Sequence, residues 1–318
     1  MSRYSIGAYR IALEMRSART LLVEGETDKA VLQRLLLDVS AEGPRPSIDT
    51  PALLADPDLH GLGNKAKVEL VAARITKTEK FLALVDREWE SFNSSELALA
   101  NIEGDLAANG GLLRTFGHSI ENYFLEERNF STLLRRHFSA QLRNGTLRLL
   151  EERFSGMCSL ALAFSLAARD HQIIGASGGL ISRHRIQIDD ANFSLRDELK
   201  ADLIGRGIAE DIAEQFLSSV ADYQARIKAR GLPHSVLKWA SHGHLGGEVV
   251  WSCIARVVQE VDGDSPACEQ IERGMKPDKL KHGADVLATA AHERRPLDWV
   301  ARWLHGLENL PAPLPAGA

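Results

Sequence analysis

The sequence has few cysteines and no paired ones. Its three cysteines, Cys158, Cys253 and Cys268, are widely spaced, and no Cys-x-x-Cys pair occurs. An odd number of isolated cysteines argues against a disulfide framework and against a zinc knuckle. Because structural disulfides are rare in a reducing compartment, this usage favours a cytoplasmic protein.

Long hydrophobic runs and a nucleotide-binding loop are also missing. The longest run of small and apolar residues, 157–168, is too short for a membrane helix, which needs roughly 20 residues. The first 19 residues carry four arginines and no uninterrupted apolar run, which is not typical of a signal peptide. The motif Gly-x-x-x-x-Gly-Lys-Ser/Thr is absent. We therefore expect no membrane span and no ATP hydrolysis by this chain.

The composition is that of a folded globular protein. Of the 318 residues, 44% are hydrophobic and 25% are charged, close to the averages for globular domains. The formal net charge is −5, so the protein is not a uniformly basic coat for nucleic acid. Binding to phosphates depends on where lysine and arginine cluster, so a local basic groove remains compatible with this charge.

Alternating patterns in the first part of the sequence predict an α/β fold. Short apolar runs indicate strands, and amphipathic segments between them indicate helices. This order is typical of a doubly wound parallel sheet. Gly25 is predicted to form a turn, and Thr27 or Asp28 to cap the first of these helices. The predicted strands are 20–23, 81–85 and 111–116, and the helices are 29–39 and 66–75.

The remainder of the sequence is predicted to be mainly α-helical. We expect a catalytic domain at 1–130, a helical domain at 131–309 and a disordered proline-rich tail at 310–318. A short strand or hairpin is expected at 183–188, where the pattern alternates. The predicted helices are 147–169, 198–203, 208–230, 247–261 and 296–307.

Acidic residues follow each predicted strand. Glu24 follows the first, Asp86 and Glu88 the second, and Glu121 the third. The carboxyl ends of parallel strands meet at one edge of a sheet, where ligands bind. In an extended segment Asp86 and Glu88 would point the same way and share a cation, and their hard oxygens suit Mg²⁺ or Mn²⁺. Taken singly, each acid could instead cap a helix, form a turn or face solvent.

Three motifs carry a resemblance to a known family. The segments 21–28 (Leu-Leu-Val-Glu-Gly-Glu-Thr-Asp) and 85–88 (Val-Asp-Arg-Glu) resemble the TOPRIM fold of topoisomerases, bacterial primases and the overcoming-lysogenization-defect nucleases. With the segment 118–125 (His-Ser-Ile-Glu-Asn-Tyr-Phe-Leu), the chain resembles the TOPRIM-like nucleases that accompany ABC-type ATPases in bacterial anti-phage systems of the PARIS type. The resemblance covers roughly residues 18–130.

The resemblance implies roles for the acidic residues. Glu24 would serve as a metal ligand or general base, and Asp86 with Glu88 would hold Mg²⁺ or Mn²⁺, although the family more often has aspartate where Glu88 stands. Glu121 would be a further ligand or support one, and His118 would orient it or contact phosphate. A buried structural role is the alternative for His118.

The expected function is that of a Mg²⁺-dependent nuclease. The resemblance implies a toxin-like defence effector that cleaves RNA (transfer RNA is one candidate) or DNA once an ABC-type ATPase partner releases it. We expect a homodimer when it is active, with the helical part as a surface for the partner or for self-association. The alternative is a non-catalytic TOPRIM-fold adaptor that retains the acids only as fold residues.

Several basic residues are candidates for contacting nucleic acid. Lys65 and Lys67 follow two glycines at a predicted helix start, which could bind phosphate or be an ordinary turn. Arg87 lies within the Val-Asp-Arg-Glu motif. Lys238 and His244 flank a tryptophan, a mixture that could contact the backbone and stack a base, or simply mark the end of a helix.

Overall fold

The structure, a computed structural model, describes residues 4–37, 45–75, 79–90, 92–99, 111–138, 142–143, 145–273 and 296–307. These residues form two compact units. The described residues up to 87, together with 111–120 and 296–307, belong to the first unit. Residues 88–99 and the described residues from 121 to 273 belong to the second.

The elements are numbered in chain order. The strands are β1 Thr20–Val23, β2 Ser47–Asp49, β3 Phe81–Val85, β4 Phe92–Asn93, β5 Ala98–Leu99, β6 Leu112–Arg114, β7 Ile186–Asp189 and β8 Asn192–Leu195. The helices are α1 Ile6–Met15, α2 Glu26–Leu36, α3 Asn64–Arg74, α4 Glu127–Phe138, α5 Thr146–Asp170, α6 Ile174–Ser177, α7 Glu198–Gly205, α8 Glu210–Arg230, α9 His234–Ala240, α10 Gly243–Asp262, α11 Pro266–Glu272 and α12 Leu297–Leu304.

The first unit is an α/β structure around a four-stranded, all-parallel sheet. The strand order is β2-β1-β3-β6, with Val23 paired to Leu84 in the centre of the sheet. The predicted α/β class, parallel sheet and three strands are confirmed. The edge strand β2 is not among the predicted strands, because three residues are too few to show an alternating pattern.

Both faces of this sheet are buried, as the continuous apolar run of β3 predicts. Leu22, Phe81 and Ala83 lie on one face and form a core with α1 and α3. Leu82 and Leu84 point to the opposite face and are also buried. The helices α2 and α12 contact each other, and α2 also contacts β2.

The start of α2 differs from the prediction. The N-cap is Gly25 and not Thr27 or Asp28, and its backbone is extended (φ −148°, ψ 176°), a conformation open to any residue. Asp28 lies one turn into the helix, and its Oδ2 accepts a hydrogen bond from Gly25 N at 2.9 Å. This bond is the half of a capping box that a glycine N-cap permits, and it helps to start the helix at Glu26.

The second unit is mostly helical. Its core is built around α5, which packs against α8, α9 and α10. The five helices predicted after residue 146 are present, although the last of them, α12, belongs to the first unit. The alternating segment near residue 186 forms the antiparallel hairpin β7–β8. At Gly156 in α5 a side chain would collide with the backbone oxygen of Ala191, so glycine permits the close approach of helix and hairpin.

The units follow different bounds from the predicted domains. Residues 121–130 were assigned to the catalytic domain, but Asn122 is fully buried in the second unit and donates to the carbonyl oxygens of Lys238 (2.6 Å) and Ser241 (2.8 Å). In the first unit, Arg19 donates to the carbonyl oxygen of Trp303 on α12 at 2.6 Å. The predicted tail at 310–318 lies outside the described residues.

None of the helices that the structure describes combines the length and the apolar character required to traverse a lipid bilayer.

Candidate active site

Two carboxylates lie at the carboxyl edge of the parallel sheet in the first unit. Glu24 follows β1 and Asp86 follows the neighbouring β3. Glu24 Oε1 accepts a hydrogen bond from the backbone N of Asp86 at 2.7 Å. The sequence prediction that parallel strands bring these acids together is therefore confirmed for this pair.

Asp86 is also held from the next strand along the edge. Its Oδ1 accepts a hydrogen bond from the backbone N of Ile120 at 3.1 Å, in the segment that follows β6. Backbone donors are rigid, so these two bonds fix the acidic side chains in a defined orientation.

Arg87 stabilises the same carboxyl edge of the sheet by bonding to Thr115. Its backbone N donates to Thr115 Oγ1 at 3.0 Å, and its Nε donates to the carbonyl oxygen of Thr115 at 2.9 Å. Thr115 Oγ1 in turn donates to the carbonyl oxygen of Gly117 at 2.9 Å. Arg87 is only 2% exposed. Its burial and these bonds give it a structural role in place of the predicted contact with nucleic acid.

Glu88 does not lie in an extended segment. The strand ends at Val85, and Glu88 adopts a left-handed backbone conformation with φ of 56° in an exposed turn. The argument that side chains two residues apart point the same way holds only in extended backbone. It therefore does not apply to Asp86 and Glu88, and Glu88 falls in the second unit.

Glu121 forms a pair with a histidine in the second unit. It lies in the 3₁₀ turn Ile120–Phe124 and is buried, and its Oε1 is 3.7 Å from Nδ1 of His244. The His244 side chain is 66% exposed. The two residues, predicted separately as a site acid and a nucleic-acid contact, are thus neighbours, and His244 lies in the first turn of α10.

The remaining predicted residues have varied settings. His118 is buried in the first unit. Lys65 and Lys67 lie half-buried in the first turn of α3, next to its N-cap Gly63. Lys238 is 2% exposed, with Nζ 2.5 Å from Glu126 Oε1 and 4.0 Å from the centre of the Trp239 ring. An interior ion pair, not a phosphate contact, accounts for Lys238.

No family model matches this chain, and no curated protein matches it.

The donor set suits a hard divalent cation. Among the described residues there is no group of three or more His, Cys, Asp and Glu side chains that could hold a metal ion. Mg²⁺ does not need one, because it usually binds through one or two carboxylates, several waters and substrate phosphates. Glu24 and Asp86 supply two such carboxylates, so they are the residues that would hold Mg²⁺ or Mn²⁺.

His242, in the second unit, is the N-cap residue of α10, and its protonation depends on folding. Its side chain accepts from Leu245 N at the start of α10, and its ring lies 5.7 Å from that of Trp89. Burial, reinforced by the neighbouring His244, lowers the pKa of His242 from 6.5 to about 4. In the folded protein the imidazole therefore remains neutral at pH values where the unfolded chain protonates it.

This shift predicts a loss of stability in mild acid. Between pH 6.5 and about 4 the unfolded state binds the additional proton, so the free energy of unfolding falls as the pH falls through this range. The expected loss is about 3 kcal/mol. Urea unfolding of wild type and of His242→Asn, which retains a capping side chain, measures it. An equal pH dependence in both proteins would contradict the assignment.

Sequence reasoning missed the residues that position the acids. Thr115 lies in no motif, and the backbone N of Ile120, although it lies within the segment 118–125, carries no side-chain signal of its bond to Asp86. Asp28 was named as a capping residue, but its position three residues after the N-cap Gly25 was not anticipated.

Proposed function

We propose that the protein is a metal-dependent nuclease that hydrolyses phosphodiester bonds. The observation that carries the proposal is the Glu24–Asp86 pair, two carboxylates at the carboxyl ends of adjacent parallel strands, bonded through Asp86 N at 2.7 Å. The edge outside the carboxyl ends of parallel strands is where α/β sheets bind ligands. The TOPRIM-like motifs that contain both residues support the same proposal.

Some residues of the chain would bind the cation, and others would keep those ligands in place. A bound Mg²⁺ would lower the pKa of a water and stabilise charge on a phosphoryl oxygen. Asp86 would hold the cation, and Glu24 would either share in holding it or accept the proton of the attacking water. Ile120 N and the Arg87–Thr115 brace keep the edge rigid. Lys65 and Lys67, in the same unit, remain candidates for contacting the nucleic-acid backbone.

The broader role is proposed on the resemblance alone. We propose a TOPRIM-like effector of a bacterial anti-phage system, active as a homodimer and restrained by an ABC-type ATPase partner. The substrate would be RNA, transfer RNA included, or DNA.

The test of the proposed function is metal-dependent cleavage. The purified protein should cut total small RNA or plasmid DNA in the presence of Mg²⁺ or Mn²⁺ and lose all cleavage in EDTA, with recovery when the metal is returned in excess. The assay is run with the protein alone and with protein co-expressed with an ABC-type ATPase encoded by a neighbouring gene. Cleavage that persists unchanged in EDTA would overturn the proposed metal dependence.

The alternative is a non-catalytic adaptor that keeps the acids as fold residues. The hydrogen bonds from Asp86 N and Ile120 N favour the adaptor, because they give the carboxylates of Glu24 and Asp86 a structural role. Calorimetric titration separates the two: Mg²⁺ or Mn²⁺ binding that is lost in Asp86→Asn favours the nuclease. Absence of binding together with absence of cleavage under every condition would favour the adaptor.

A further inference from the structure

The second unit contains a cavity that the candidate active site does not use. Its volume of about 560 Å³ lies in the range of sites for small molecules. It is lined by residues of α5, of the hairpin β7–β8 and of the C-terminal part of α8, together with one residue of α9. None of the described lining residues has a role in the proposed metal site, so a ligand bound here would give the chain a second function.

The walls of this cavity are fixed to one another. At α5, a side chain in place of Gly156 would come within 2.2 Å of the backbone oxygen of Ala191, so helix and hairpin are in close contact there. At α8, Gln224 Nε2 donates to the carbonyl oxygen of Phe193 at 2.6 Å. All four residues line the cavity. Because the hairpin is attached to both helices, the cavity is formed before a ligand binds, which lowers the entropic cost of binding.

The cavity offers one positive and one negative side chain, Lys228 and Asp189, among its described lining residues. Both are exposed, and within the described ranges neither forms an ion pair. An ammonium group without a carboxylate partner is suited to bind a phosphate. The carboxylate of Asp189 repels a phosphate but accepts hydrogen bonds from hydroxyl groups, as acidic residues do at the ribose of bound nucleotides.

Neutral polar and apolar side chains make up the rest of the lining. Hydroxyl and amide groups are provided by Ser155, Ser159 and Asn192. Apolar contacts come from Ala225 and Leu232, neither of them a charged or hydrogen-bonding side chain. The lining therefore suits a ligand that combines one anionic group, several hydroxyl groups and an apolar ring.

We propose that this cavity binds a nucleoside monophosphate, with Lys228 at the phosphate, Asp189 at the ribose hydroxyl groups and the base against the apolar part of the lining. A single ammonium group matches a single phosphate, and the chain has no P-loop for a triphosphate. A sugar phosphate would leave the apolar part of the lining without a contact. The proposal does not depend on the nuclease assignment.

Calorimetric titration with AMP, GMP, CMP and UMP tests the proposal. The titration is run in EDTA, so metal-dependent binding at Glu24 and Asp86 does not contribute. At least one nucleotide should bind, and Lys228→Gln should weaken its binding about tenfold. Lys200→Gln, on α7 in the same unit and outside the cavity lining, is the matched control and should bind as wild type does. No binding of any of the four at millimolar concentration, or equal losses in both variants, would overturn the proposal.

Two further measurements test the class of ligand and its location. The nucleoside alone and inorganic phosphate alone should each bind at least about tenfold more weakly than the monophosphate, and equal binding of either one would overturn the proposed class. Ser155→Trp places a large side chain at an exposed lining position and should abolish binding without unfolding the protein. Ser218→Trp, at an exposed serine of α8 outside the lining, is its control. Undiminished binding in a folded Ser155→Trp protein would overturn the proposed location.

Discussion

Replacing Glu24 by glutamine is expected to reduce metal-dependent cleavage by more than about a hundredfold, since even the residues that support metal ligands change activity by about 10- to 100-fold when altered. Folding should be unaffected, because the amide oxygen of glutamine can still accept the hydrogen bond from Asp86 N. The measurement is cleavage of nucleic acid on gels, with thermal unfolding of the same preparation.

Glu26→Gln is the matched control. Glu26 lies two residues further along, where its carboxylate accepts from Thr50 Oγ1 at 3.2 Å and lies 3.6 Å from Lys29 Nζ. This variant loses the same charge from the same stretch of chain and should retain activity. If Glu24→Gln cleaved as well as wild type, or if both variants lost activity equally, Glu24 would not be the metal ligand or base. Unfolding of Glu24→Gln would instead indicate a purely structural carboxylate.

Replacing Lys238 by methionine is expected to destabilise the second unit by about 3 kcal/mol. The change removes one member of a buried ion pair and leaves Glu126, whose side chain is 17% exposed, without its cation. Urea unfolding should show the loss as a lower midpoint. Nucleic-acid binding by the folded variant should be unchanged, because the ammonium group lies in the interior.

Two further variants test whether the loss of stability comes from breaking a buried ion pair and not from the replacement of lysine by methionine as such. Lys200→Met removes a lysine whose partners Glu210 and Glu214 are 72% and 67% exposed, and it should cost at most about 1 kcal/mol. Adding Glu126→Gln to Lys238→Met removes the uncompensated charge and should recover part of the stability. A Lys238→Met protein as stable as Lys200→Met would contradict the interior role.

The elements that the sequence predicts well are those with strong local patterns. The apolar run of β3 and the long helices α5 and α8 were located to within a few residues, because burial on both faces or along one stripe leaves a periodic signal. The edge strand β2 has only three residues, and α9 only seven, so neither spans enough turns or alternations to show a period.

The candidate site was predictable to the extent that sheet topology determines it. The pairing of parallel strands places Glu24 beside Asp86 independently of the conformation of the loops, and the structure shows that pair. The backbone conformation after Asp86 was not predictable, since glutamate is not a residue type that favours the left-handed conformation seen at Glu88. Burial of Arg87 and Lys238 depends on partners 28 and 112 residues away, Thr115 and Glu126, which no local pattern reveals.

The position of α12 has a consequence for synthesis of the chain. This helix contacts α2, and its Trp303 is fully buried and accepts from Arg19, although the whole run from 121 to 291 separates it from the sheet. Ribosomes deliver the chain from its N-terminus, and domains generally fold as units. The α/β unit that carries Glu24 and Asp86 therefore emerges first, yet it acquires α12 only after the helical unit has been translated. A ribosome-bound chain that stops short of α12 would hold the acidic pair in an unfinished unit.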